Sequence, residues 1–235
     1  MKILAVDTTS TIFTAVLVDG EKTLSTSFEV GKSGHSSLIL PTISELMDIA
    51  DTKPEDLDGV AVVVGPGSFT GVRIGVSLVK GLAFAKEVPC IEVSTLQSLA
   101  ENLRGLEGVI VPVMDARRAQ VYTAIFTSDK NGLIRVTEDM ALPLTELYEK
   151  LTEYKDRKIY LVGDGYAVAR KALAELKNLA DTPEILIAQN AASVARVAEE
   201  KYKRGEYTDD KTLSPVYLRM PQAERERIEK ENQKV

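Results

Sequence analysis

KILAVDTTS at residues 2–10 is a short apolar run that ends on a carboxylate, Asp7, and passes into a hydroxyl-rich turn; GVIVPVMDARRA at 108–119 repeats that figure, with Asp115 in the place of Asp7. The two copies also continue alike. After the first come IFTAVLV (12–18), the turn Asp19-Gly20 and TLSTSFEV (23–30). After the second come QVYTAIF (120–126), the turn Asn131-Gly132 and LIRVTEDMAL (133–142). Apolar runs of this length bounded by turn residues read as strands, so each copy opens with three of them, the last two forming a hairpin.

The correspondence continues down the chain. GVAVVVGPG (59–67) and IYLVGDG (159–165) are apolar strands running into glycine turns, and helical stretches at 70–86 and 166–177 follow them. Short strands are expected at 88–93 and 182–187, then closing helices at 95–103 and 189–204. Landmarks recurring in the same order point to an internal duplication. Each half is therefore a βββαβαβα unit, with an N-terminal domain at 1–105, a C-terminal domain at 106–220 and a charged tail at 221–235. Such units are α/β, with helices on both faces of a mixed sheet. Two of them facing each other enclose a cleft, and Asp7 and Asp115 stand on its edge, outside the carboxyl ends of strands where ligands of open α/β sheets bind. This plan is similar to that of the actin-like ATPase (ribonuclease H-like) fold.

Composition narrows the function. The 235 residues carry 29 Lys+Arg against 35 Asp+Glu, a net charge of −6, which argues against a chain that grips nucleic acid by itself. No apolar run approaches the roughly 18 residues of a membrane span, and Asp7 comes too early for a signal peptide, so the expected location is cytoplasmic. Cys90 and His35 are the only residues of their kinds, which excludes an intrachain disulfide and a multi-histidine metal site.

Four short motifs carry what chemistry there is. Asp7, Thr8, Thr9 and Ser10 suit a metal–phosphate site, because the hydroxyls and turn amides donate to phosphate while the acid orients a hydrated cation; they serve equally well as a solvated turn. Gly65-Pro66-Gly67-Ser68-Phe69-Thr70-Gly71 is no phosphate loop of the Gly-Lys-Ser/Thr type and reads as a tight strand-to-helix turn capped by Ser68 or Thr70. His35 precedes a helix at 36–50 whose cap is expected at Ser36 or Ser37. Arg117 and Arg118 are either an anion site in the cleft or a solvated turn, and as a pair are too small a patch to imply RNA binding.

The stretch GPGSFTGVRIG (65–75), together with ILAVDTT (3–9), His35-Ser36 with Leu40-Pro41, Asp115 to Arg118 with Val121-Tyr122, and PVYLR (215–219), resembles the TsaB (YeaZ) family of bacterial tRNA-modification proteins over almost the whole chain. The resemblance implies a part in forming threonylcarbamoyladenosine in tRNAs that read codons beginning with adenine. It implies a non-catalytic scaffold that pairs with the paralogous transferase TsaD, with the ATPase TsaE as a third member and tRNA met only through the complex. It implies a homodimer when TsaD is absent. TsaD-like proteins carry two metal histidines spaced four apart, and Thr95 and Leu99 stand at those places here. Neither supplies an imidazole, so no metal is expected and the older glycoprotease label is set aside. The rival reading is an autonomous actin-like ATPase or small-molecule kinase working between Asp7 and Asp115. Against it stands Asp164 in the second glycine turn, whose charge would repel phosphates, so at most weak adenine nucleotide binding is expected at Asp7 to Ser10.

The helix at 70–86 adds a physical hint. At 100° per residue its apolar positions cover an arc of about 220°, more than a helix resting on one sheet requires. The excess is covered either by the neighbouring helix at 36–50 or by another protein; the resemblance favours the second, with the two helices forming a joint patch that binds TsaD, or a second copy when TsaD is absent. The expected interface comprises Ile39, Ile43, Leu46 and Met47 with Gly71, Val72, Ile74, Gly75, Val76, Leu78 and Val79, the glycines allowing a partner's backbone to come close.

Overall fold

The computed structural model describes residues 1–30 and 35–219. The helix expected at 36–50 runs His35–Ile49, so Ser36 and Ser37 fall inside it and its cap position, residue 34, lies outside the described residues, as does the tail at 221–235.

The first half is built on a five-stranded sheet. Its strands are β1 (Lys2–Asp7), β2 (Ile12–Asp19), β3 (Lys22–Val30), β4 (Gly59–Gly65) and β5 (Cys90–Ser94), in the order β3-β2-β1-β4-β5. β1 is antiparallel to β2 and parallel to β4, so the chain leaves the hairpin arm and continues by crossover helices. Period-2 alternation divides the strand residues between two faces. Leu4, Val6, Phe13, Leu17, Val60 and Val62 pack under α1 (His35–Ile49) and α2 (Phe69–Lys86). Ile3, Ala5, Val16, Ala61, Val63 and Ile91 face the other way. Every residue of β4 is buried, as expected of a central parallel strand covered on both sides.

The second half repeats the plan with two departures. Its strands are β6 (Gly108–Asp115), β7 (Gln120–Thr123), β8 (Phe126–Asp129), β9 (Gly132–Arg135), β10 (Met140–Pro143) and β11 (Ile159–Val162), with β11 parallel to β6. The run 120–126, expected as one strand, is broken at Ala124-Ile125. β7 pairs with the carboxyl end of β6 and β8 with its amino end. The break is held by Ile125, whose carbonyl accepts from the amides of Val136 (2.8 Å) and Thr137 (3.2 Å). The run 133–142 divides into β9 and β10 at the same level. The strand expected at 182–187 does not form. Pro183 brings no N–H to a ladder, and Glu184–Leu186 is a single 3₁₀ turn, so the second sheet lacks a counterpart of β5.

The helices are shared between the halves. α4 (Leu144–Leu151) and α5 (Tyr166–Ala172) cover one face of the second sheet. Its other face is closed by α3 (Thr95–Glu101), which belongs to the first half: Leu96, Leu99 and Leu103 pack on Ile110, Met114 and Phe126. In return, α6 (Ala191–Lys203) of the second half lays Ala191, Val194, Ala195, Val197 and Ala198 on the first sheet. Each half thus lends a helix to the core of the other.

Beyond α6 the chain returns to the first half as a strap. Thr208 exchanges backbone bonds with Cys90 (2.9 and 2.8 Å), and the Val216 amide donates to the Val64 carbonyl (2.8 Å). The Tyr217 ring stacks on Phe69 at 4.8 Å, and Arg73 donates to its hydroxyl (2.8 Å). Arg219 then reaches into the second half, donating to the Ala116 carbonyl (3.4 Å) and to the Gln120 side chain.

Candidate functional site

The hydroxyl turn after β1 is occupied by the chain itself. Asp7 is fully buried; its Oδ1 accepts from the Thr9 amide (2.8 Å) and the Thr9 hydroxyl (2.6 Å), while Oδ2 is buried with no partner. Burial pushes the carboxyl up to about 6, against the pull of the Thr9 bonds and with a small upward push from Asp164. Thr8 Oγ1 donates to the Gly71 carbonyl (2.7 Å), and the Thr9 carbonyl accepts from the Ser68 amide (2.8 Å). Ser10 Oγ accepts from the Ile12 amide (3.0 Å). The loop at 65–71 sits on the turn expected to cradle phosphate, taking the Thr8 hydroxyl at Gly71 and giving the Ser68 amide to the Thr9 carbonyl. Ser68 is the N-cap of α2, accepting from the Gly71 amide at 3.3 Å.

The second acid turn is open. Asp115 is partly exposed, its amide donating to Asp164 Oδ1 at 3.0 Å, so Asp164 fastens the turn after β11 to the end of β6. After Asp115 the backbone takes three left-handed residues in a row, Arg117 (φ 65°), Arg118 (φ 53°) and Ala119 (φ 56°), none of them glycine. Each such residue costs about 1–2 kcal/mol. The surroundings hold the turn: Asp115 Oδ1 accepts from the Arg117 amide (2.8 Å), the Ala116 amide donates to the Gln120 carbonyl (3.0 Å), and the Leu144 amide donates to the Ala119 carbonyl (3.2 Å). Both arginine side chains point to solvent.

Thr95 and Leu99 are buried in α3, where Leu99 packs in the shared core. Among the described residues no group of three His, Cys, Asp or Glu is placed to hold a metal ion, and no helix is long and apolar enough to cross a membrane.

The apolar face of α1 and α2 also needs correction. Ile39, Ile43, Leu46 and Met47 of α1, and Val72, Gly75, Val76 and Val79 of α2, are buried in the chain's own core, because both helices rest on the same face of the first sheet. The glycines serve an internal approach: a Cβ on Gly71 would lie 2.0 Å from the Thr8 carbonyl oxygen, and one on Gly75 2.5 Å from Thr8 Oγ1. Of the expected interface, Ile74 and Leu78 stay partly open. With Leu40, Thr70, Arg73, Ser77 and the edge of Ile39 they line a groove of about 540 Å³ between the two helices. Leu38 and Leu40 are more than half exposed beside it. Sequence reasoning did not find the strap that borders this groove through Arg73 and Tyr217; its signal, PVYLR, was visible only as part of the family resemblance.

Two duplicated sheets, an acid at the end of each first strand and crossover helices between them define a protein of the actin-like ATPase fold. The model of the family described as TsaD, tRNA N6-adenosine threonylcarbamoyltransferase, matches residues 28–227. A Bacillus subtilis protein named tRNA threonylcarbamoyladenosine biosynthesis protein TsaB is 35% identical, the match covering 97% of this chain and 99% of that one. Two Pseudomonas aeruginosa structures are similar throughout. One, described as having similarity to peptidase YeaZ, has a TM-score of 0.80 at 26% identity and covers 93% of this chain and 99% of its own; the other, YeaZ, has 0.76 at 25%, covering 92% and 99%. The chain belongs to the TsaB (YeaZ) family, within the wider family that holds the TsaD transferases.

Proposed function

We infer that this chain is the non-catalytic partner of a TsaD-like transferase in forming threonylcarbamoyladenosine on tRNA. The observation that carries the reading is the contrast within one fold: the chain matches the transferase family model over most of its length, yet places Thr95 and Leu99, both buried, where the resemblance puts the transferase's metal histidines. The engaged hydroxyls of Thr8 and Thr9 support the same reading over an autonomous ATPase, since the donors a phosphate would need are bonded inside the chain.

The docking face is the groove between α1 and α2, with Leu40, Ile74 and Leu78 as apolar anchors and Arg73 at its rim. Its occupant is the transferase. A paralogue of this fold carries its own α1–α2 pair, and two such pairs laid together bury both grooves. In the transferase's absence a second copy of this chain fills the place. A TsaE-like ATPase and tRNA join the assembled pair. The test is reconstitution: unmodified tRNA, threonylcarbamoyl adenylate and transferase are incubated with and without this chain, and the nucleosides are separated by chromatography. Product that requires this chain, none from this chain alone, and co-elution with the transferase are expected; equal product without it would overturn the reading.

A further inference from the structure

Three successive positive φ values call for glycine, asparagine or aspartate, which take that conformation at low cost. This chain places Arg117-Arg118-Ala119 there instead, and holds the turn from four sides: by Asp115 from β6, Gln120 from β7, the Leu144 amide at the start of α4, and Arg219 from the strap. Strain that the surroundings over-determine gathers where a side chain is needed in a fixed place. Here the side chains so placed are two guanidiniums, the Arg117 side chain 84% exposed, beyond the carboxyl end of β6. Arg219 and the Tyr122 ring, 5.7 Å apart, lie beneath the same turn. Two acids face it, Asp115, whose contact with Arg117 at 3.5 Å is partly exposed, and the more deeply buried Asp164, so a phosphate must exchange for Asp115 at Arg117 while Arg118 stays open to solvent. In a chain of net charge −6, a rigid arginine pair pointing to solvent is suited to a polyanion, and guanidinium matches phosphate two-pronged.

We propose that the Arg117–Arg118 turn is a direct phosphate contact for tRNA within the assembled complex. This rests on the function inferred above and goes beyond it, because there tRNA meets this chain only through the partner. The pair is too small to hold RNA alone; it positions the phosphate backbone once the complex supplies the remaining contacts.

The experiment uses the complex of this chain with its transferase and a fluorescently labelled unmodified tRNA, with anisotropy read across a salt series. Arg117→Gly with Arg118→Gly removes the charges while giving the backbone the residue it favours. This variant should melt a few degrees higher than the natural chain and co-elute with the transferase unchanged. It should bind tRNA about tenfold more weakly, and its slope of log affinity against log salt should fall by about 1–2, one for each phosphate no longer neutralised. Arg117→Lys with Arg118→Lys should keep the slope. Unchanged affinity and slope in the glycine variant overturn the proposal. Loss of co-elution overturns it too, by making the turn a protein contact. If the natural chain itself fails to co-elute, the inferred function falls first, and a failure of that kind is distinct from either of these.

Discussion

Thr8 and Gly71 are pressed together: the Thr8 hydroxyl donates to the Gly71 carbonyl at 2.7 Å, and a Cβ on Gly71 would stand 2.0 Å from the Thr8 carbonyl oxygen. The start of α2 is thereby pressed onto the turn after β1, and the geometry separates three glycines of one helix. Gly71→Ala meets backbone and should cost about 3 kcal/mol or more. Gly75→Ala meets the Thr8 hydroxyl and Val62, so it should cost less and be partly rescued by Thr8→Ala. Gly81→Ala meets nothing within 4 Å and should stabilise by about 0.5–1 kcal/mol. Urea unfolding of the single and double variants checks all three.

Asp7 should make stability depend on pH in a recognisable window. Its folded carboxyl titrates near 6 against an ordinary 3.8, so the folded state holds the proton more tightly. The contribution is fully present below the ordinary value and is lost as pH rises through about 6, leaving the neutral-pH protein about 3 kcal/mol worse off on this account. Asp7→Asn should therefore be more stable than the natural chain at pH 7.5, by about 1–2 kcal/mol after the cost of a buried amide with an unpaired donor. The advantage should shrink towards pH 4. An Asn variant whose difference from the natural chain is the same at both pH values would refute the account.

On α2, opposite sides of one turn should respond oppositely to charge. Val76→Glu puts an unpaired carboxylate into the core under the helix and should unfold the chain, a loss of more than about 3 kcal/mol. Ile74→Glu stands at the edge of the groove and should keep the far-ultraviolet dichroism while abolishing co-elution with the transferase. A folded Ile74→Glu chain that still co-elutes would place the interface elsewhere.

The strap should loosen in one piece. Tyr217→Ala removes the stack on Phe69 and the bond from Arg73, together about 1–2 kcal/mol. Faster hydrogen exchange is expected at the Val216 amide, which is bonded to Val64, and not at the amides of β4. Equal exchange in both chains at Val216 would mean the strap is held without Tyr217.

Much of this architecture was legible in the residues. Asp7 and Asp115 announced the duplication because a strand must end where a carboxylate meets a polar turn. Ser68 and Thr70 both announced the start of α2, because a hydroxyl before a helix satisfies an open amide, and the structure gives the cap to Ser68. Other features were hidden for physical reasons. An apolar stripe shows that α3 and α6 must be covered but not by which sheet. Gly71 and Gly75 show that some backbone comes close, and only the fold shows that it is the chain's own, at Thr8. Nothing in QVYTAIF marks the break at Ala124-Ile125, which is set by pairing with Thr137, twelve residues on. The left-handed turn at 117–119 was the least visible, since Arg-Arg-Ala carries no sign of the conformation it adopts.

The exchange of α3 and α6 has a bearing on how the chain comes into being. As residues leave the ribosome in order, the first sheet can pair its strands once Ser94 has emerged, yet Ile3, Ala5, Val16, Ala61, Val63 and Ile91 remain bare on one side until α6 arrives, about a hundred residues later. For that interval the nascent chain presents a wide greasy surface with nothing of its own to lay on it, the condition under which chaperones bind and neighbours stick. A fragment stopped at residue 105 is frozen in that condition. Maturation is therefore a single late event, in which α6 completes the first sheet formed.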